Sequence, residues 1–359
     1  IDAVGEFFVA TDGDDSNTGT VEAPFATIAR ARDAVASAGD SLPEGGVVVN
    51  IRGGVYQFTD TVSFTVANSG SEGKPVIYQA YEGEEVVFMG GKKLDVGKVQ
   101  KVTDPQILNR VIDPLARQKL MQLDLAEQGI TSIPEIADYG FGLNQNYRPL
   151  EVYFNGEALQ KSRWPNDEPG TGFVRTGAAS YAGDYKTQPF TVEYLDEEGH
   201  TDQWDISKIK DMYISGFIGN DWAGVTHKVK SIDLVNKTVT SVGGTSYPPT
   251  DKHRLYFWNL IEEIDMPGES YIDRENKILY FYPTGDVSTA EMSVSTLDKY
   301  MLNFNGANNI TVKGITFETS RNTMINVTGG ESINIEDCIF ARGSSNAVTL
   351  DAKNSSVKG

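Results

Sequence analysis

The feature that most constrains this chain is a stretch near its C-terminal end that copies itself at a fixed period. Asn309-Ile310-Thr311-Val312-Lys313-Gly314-Ile315-Thr316-Phe317 recurs as Ser332-Ile333-Asn334-Ile335-Glu336-Asp337-Cys338-Ile339-Phe340, so Ile310 and Ile333, Ile315 and Cys338, and Phe317 and Phe340 are each 23 residues apart. The register also holds between copies, where Met324-Ile325-Asn326-Val327 returns as Ala347-Val348-Thr349-Leu350. Short alternating strands broken by Gly, Asn and Asp at such a period predict a parallel β-solenoid, in which inward Ile, Val and Phe of one coil stack on those of the next. Ser355-Ser356-Val357-Lys358-Gly359 opens a further copy and stops inside a coil. An uncovered coil exposes core and unpaired strand groups, so the expectation is a C-terminal continuation of the stack as a separate fragment or chain.

The rest of the sequence divides around this repeat. Residues 1–95 read as an N-terminal cap and first coils: Thr27 to Ala38 places Ile28, Ala31, Val35 and Ala38 on one helical face, a lid for the open end of the first coil. Gly46 to Ile51, Pro75 to Ala80 and Glu85 to Gly91 are short strands between Gly and Asn turns. Residues 96–292 lose the period and carry hairpin patterns, such as His227 to Asp233 with Thr238 to Val242, which predict an inserted antiparallel β-sandwich-like domain. Coils of about 23 residues then resume over 293–359.

Charge narrows the function. A net charge of −19 argues against nucleic acid and against an anionic membrane surface, both of which require clustered Lys and Arg. No apolar run approaches the roughly 18 residues of a membrane span, no signal peptide is seen, and a start at Ile1 without Met is consistent with a processed form. Cys338 sits at an inward repeat position and reads as a small buried hydrophobe, and one cysteine allows no disulfide within the chain. His200, His227 and His253 are not spaced like metal ligands, so no metal site and no cofactor are expected from them. Asp12, Asp14 and Asp15 offer oxygen ligands for calcium, but their spacing is not that of an EF-hand loop, and an Asx-rich turn is the simpler reading.

Several segments carry a resemblance. Phe7 to Thr20 with Ala23 to Ile28, Arg52 to Tyr56 and Gly73 to Tyr81 resemble the opening of secreted bacterial right-handed parallel β-helix proteins. Ser162-Arg163-Trp164-Pro165-Asn166, Gly219 to Ala223 and Asn259 to Asp273 are similar to the inserted domain of one branch, the β-helical glycoside hydrolases of the xylosidase, xylanase and fucosidase types. The resemblance implies an all-β fold, a right-handed parallel β-helix with capping helix and insertion, in a secreted or cell-surface protein acting on a polysaccharide or oligosaccharide. It also implies that the acidic pair lies on the β-helix after the insertion, in coils that can extend beyond Gly359.

Glycoside hydrolysis needs two carboxyl groups roughly 5 to 9.5 Å apart, and outward residues of neighbouring coils stack about 4.8 Å apart. Glu318 follows the inward Phe317 and is predicted to point outward, with Arg321 at the rim; Asp351 lies just past Leu350. Glu318 and Asp351 are the candidate catalytic acids, whereas Asp337 stands where Gly314 stands one coil earlier and reads as a turn residue. Arg163-Trp164 and Asp221-Trp222 pair an indole with a charge, the composition of a sugar platform, unless both Trp bury between the domains. A second reading is a polysaccharide lyase, β-elimination on a uronic acid polymer, with Arg321, Arg342 and Lys353 to neutralise the carboxylate, though a −19 chain attracts a polyanion poorly. A third is a non-catalytic carbohydrate-binding or cell-surface module.

Overall fold

The computed structural model describes residues 5–144 and 149–359. The chain forms two compact units, Ile1–Lys93 with Ser293–Gly359, here the coil unit, and Leu94–Met292, here the barrel unit. No helix among the described residues is long and apolar enough to cross a membrane.

In the coil unit the 23-residue period becomes hydrogen-bond register. Ile310 pairs with Ile333, Leu302 with Ile325, Ile325 with Val348 and Thr316 with Ile339, all in parallel. The same strands join the N-terminal coils directly, with Ile310 on Val76, Leu302 on Val62 and Phe317 on Phe88, so the stack is continuous across the point where the chain leaves and returns. Each late coil has three sides, seen in one turn as Leu302–Asn305, Asn308–Lys313 and Thr316–Ser320. The strand Ile325–Glu336 covers two of those sides and bends at Gly329 and Gly330, both left-handed; a Cβ on Gly330 would overlap the Ala307 carbonyl. Asp337 is likewise left-handed at the position Gly314 occupies one coil earlier, a turn residue.

Inward side chains form columns. Phe64 stacks on Phe304 at 4.6 Å between ring centroids, and Phe317 lies 5.3 Å from both Phe88 and Phe340. Cys338 is only half-buried against this core, and burial pushes its thiol up, away from the reactive thiolate. The helix Ile28–Ala38 is N-capped by Thr27 and buries Ile28, Ala31 and Val35 in the same core. Asp15 accepts from Ala26 N, Thr27 N and the Thr27 hydroxyl, and Asp14 from Ser16, so those carboxylates serve the turn that leads into the helix. Outside the core, Asn326 donates to Asn303 at 2.8 Å and accepts from the Thr349 hydroxyl at 2.6 Å, a polar ladder through successive coils. Asn326→Ala breaks both rungs and is expected to lower stability by about 1–2 kcal/mol; a urea midpoint by far-UV circular dichroism that does not move would contradict this.

The barrel unit departs from the expected sandwich. Hydrogen bonding runs from Val225–Asp233 through Tyr213–Phe217, Arg254–Trp258, Val174–Tyr181, Phe190–Tyr194 and Thr238–Ser241 and back to Val225–Asp233, a closed antiparallel ring. Val174–Tyr181 and Val225–Asp233 each change partner along their length, with irregular register at Thr176/Ala179 and Val229/Ser231. Bulged strands that turn corners in this way close a flattened barrel instead of leaving two open sheets. Phe190, Val192, Ile214, Val239, Leu255 and Phe257 fill it. A smaller sheet of the same unit pairs Glu269–Asp273, Ile278–Phe281 and Met121–Asp124 in antiparallel order around Tyr271 and Tyr280.

Candidate functional site

Glu318 sits on Thr316–Ser320, level with Met89 on one side and Ala341 on the other. It opens a run of polar residues, Glu318 to Thr323, each exposed by 9% or less. Burying six consecutive polar side chains is unfavourable unless each has a use, because a buried polar group without a partner costs about 1–3 kcal/mol. Thr319 adds backbone strain, being β-branched at φ 56°. A Cβ on Gly91 would overlap its Cγ2, so this corner tolerates only glycine opposite. Thr319 Oγ1 and Ser344 Oγ are both buried without a hydrogen-bond partner.

The Glu318 carboxylate is paired with the Arg342 guanidinium of the next coil, itself left-handed at φ 51°. Arg321 is not at the rim: it is buried, its main-chain N–H donating to Leu297 O at 3.1 Å and its guanidinium directed to Thr296 O at 3.5 Å. The reason is the segment around 296–298, which lies over the run and also takes the Asn322 amide on Asp298 O at 2.9 Å. Asp351 is exposed on Val348–Lys353, level with Thr328, and belongs to a different side of the coil from Glu318. The two candidate acids are therefore not brought together. Glu318 meets Arg342, a residue read from sequence only as a possible lyase cation, and Lys353 stands level with Glu331.

In the barrel unit Arg163 is buried and Trp164 half-buried. Arg163 Nε donates to Pro165 O at 2.9 Å, a terminal nitrogen donates to Gly172 O, and the guanidinium lies 3.6 Å over the Tyr256 ring, so it pins its own loop. Trp164 stacks on His200 at 4.8 Å and packs near Trp204 and Phe257 beside the barrel core. Arg163 is thus committed to its own loop, and Trp164 is half-buried with one face on His200. Asp221 is exposed and accepts on Oδ1 from His253 at 3.2 Å and Arg254 at 3.3 Å, and Trp222 is 57% exposed.

Sequence reasoning missed a buried acid cluster beneath Trp164. Glu263 accepts from His200 Nε2 at 2.9 Å and from the Trp204 indole N–H. Burial pushes the Glu263 carboxyl up while those donors pull it back; burial also depresses His200, but the carboxylate outweighs that and raises it. Asp265 takes the Asn166 amide at 2.9 Å, and burial pushes its carboxyl up while that donor pulls it back. Glu269 also accepts from Asp265 N and Met266 N, yet burial pushes it up to about 8. The available signal was Leu260-Ile261-Glu262-Glu263-Ile264-Asp265, acids enclosed by aliphatics. Among the described residues no group of three or more His, Cys, Asp or Glu is arranged to hold a metal ion.

No family model matches the chain. It is similar to the uncharacterized protein YwoF of Bacillus subtilis, 39% identical over 83 residues, and to pectate lyase PEL9 of Emericella nidulans, 35% identical over 85 residues. Those matches cover 23% and 24% of this chain but 15% and 18% of the relatives, so the chain is matched to less than a fifth of either protein. Over 99% of its length it superposes on 65% of a solved glycoside hydrolase with a TM-score of 0.74, at 16% identity. The coil and barrel units are thus a fold that a glycoside hydrolase uses.

Proposed function

We propose that this chain is part of a secreted or cell-surface carbohydrate-active enzyme, a glycoside hydrolase whose coils present Glu318 as one of its two working carboxyl groups. The observation that carries the reading is the buried run Glu318 to Thr323 at a strained left-handed corner. A fold retains strain and buried polar groups where they position chemistry more readily than where they only pack. The coils are read as right-handed, since parallel strands joined by a crossover take that hand in about 98% of cases. A polymeric or oligomeric glycan fits the long face of such a stack, and its size accounts for the extracellular placement.

The lyase reading is favoured by the similarity to pectate lyase PEL9. Against it, two of the three cations it would use are already engaged, Arg342 by Glu318 and Arg321 at the Thr296 carbonyl, and the net charge of −19 repels a polyuronate. Incubating the whole protein with neutral and uronic-acid glycans separates these readings. Reducing ends without ultraviolet absorbance of an unsaturated sugar are expected for a hydrolase; absorbance that rises with cleavage would establish elimination, and binding without cleavage a binding module.

A further inference from the structure

We propose that Phe141, Trp222 and Tyr247 form a binding subsite for neutral sugar rings on the barrel unit. The proposal takes its ligand class from the carbohydrate reading above but does not depend on Glu318 or on any cleavage. Trp222 and Phe141 are 57% and 48% exposed, and the indole lies 4.9 Å from Phe141 and 5.2 Å from Tyr247, edge-on to both, while Phe141 and Tyr247 are near parallel at 6.1 Å. The rings come from three separate segments, yet the backbone fixes their relation. Phe141 N donates to Gly224 O at 2.9 Å, holding the first segment to the hairpin that carries Trp222. A Cβ on Gly142 would fall 2.7 Å from Ser246 Cβ, and one on Gly219 2.5 Å from Pro248 O, so the loop bearing Tyr247 is packed against both of the others.

Large aromatics left in water at a preorganised corner lose the stabilisation that burial would give them. The chemistry beside them selects the occupant. Asp221, next in sequence to Trp222, is balanced by His253 and Arg254, so the corner carries hydrogen-bonding groups with their charges compensated. Apolar ring faces beside compensated polar groups suit a pyranose, whose C–H face lies on an aromatic while its edge offers hydroxyls. A uronate would be repelled by the −19 chain.

The test uses the chain as it stands and reads Trp emission and affinity electrophoresis with xylohexaose, cellohexaose and mannohexaose as neutral probes and hexagalacturonate as the acidic one. At least one neutral hexasaccharide is expected to bind and shift the emission. Trp222→Ala should weaken it by about tenfold or more and Phe141→Ala by a smaller factor. Both ring residues are exposed, and unaltered thermal melting of the variants separates lost contact from lost fold. Neutral binding that survives Trp222→Ala, binding of hexagalacturonate alone, or no binding by the native chain would each overturn the proposal. Trp222-dependent binding in a whole protein that cleaves no glycan would keep the subsite and remove the hydrolase reading; cleavage that needs Glu318 with no Trp222-dependent binding would do the reverse.

Discussion

Glu269→Gln is expected to flatten most of the pH dependence of the barrel unit's stability. In the folded chain burial pushes the Glu269 carboxyl up to about 8 from an ordinary 4.5. A raised acid keeps in the fold a proton that the unfolded chain releases, so its contribution is fully present below pH 4.5 and is lost as pH climbs through about 8. Within that window the loss is on the order of 1 kcal/mol per pH unit. Burial explains the direction, the Asp265 charge adds to it, and the Arg163 guanidinium is directed to the Pro165 and Gly172 carbonyls. The oxygen of a glutamine amide can accept from Asp265 N and Met266 N, so those contacts survive while the titration disappears. Trp164, Trp204, Trp222 and Trp258 all lie within Leu94–Met292, so Trp emission reports this unit alone. The native chain should lose melting temperature steadily from pH 5 to 8 and the variant much less. A residual slope of the same sign is expected from His200 and Glu263, whose values are also raised. Parallel profiles for the two proteins would refute the raised Glu269 carboxyl.

Phe317→Ala should be the most damaging single change in the coil unit, at about 3–5 kcal/mol. Phe317 is fully buried, with Phe88 and Phe340 each 5.3 Å away. It joins a coil built before the insertion to one built after it, so its removal leaves a cavity where the stack resumes. Phe340 is only half-buried, and Phe340→Ala is expected to cost roughly half as much. Far-UV circular dichroism in urea measures both. Equal, small shifts would mean that the phenylalanine column does not hold the coils in register.

The coil register was readable because the repeated positions are the buried ones: Ile310 with Ile333 and Phe317 with Phe340 must match for the coils to stack. The N-terminal coils could be read only from their short strands and not from a fixed period, because they are longer, Val47 pairing with Val76 and Gly54 with Val86. Closure of the barrel depends on bulges at Thr176/Ala179 and Val229/Ser231, and local alternation carries no sign of which strand will be the partner. For the candidate site, Glu318 could be picked out from its place after Phe317, but its pairing with Arg342 falls 24 residues on, one step off the period, at a left-handed corner. Asp265 and Glu269 meet because the turn through Met266, Pro267 and Gly268 folds one back on the other. Trp164 and Trp222 share a composition with their neighbours and have opposite fates, decided by the aromatic cluster around His200 and Trp204 in one case and by a hairpin tip in the other.

The central claim, that Glu318 is a working carboxyl group of a glycoside hydrolase, is tested most directly by the turnover of Glu318→Gln in the whole protein on a neutral glycan that the native protein cleaves. Gln keeps the shape and a hydrogen bond to Arg342 while removing the acid. The reading predicts a fall of at least about a hundredfold in kcat with the fold and KM retained. Turnover within about twofold of native in a folded variant would contradict it and leave Glu318 as an ion pair that ties one coil to the next.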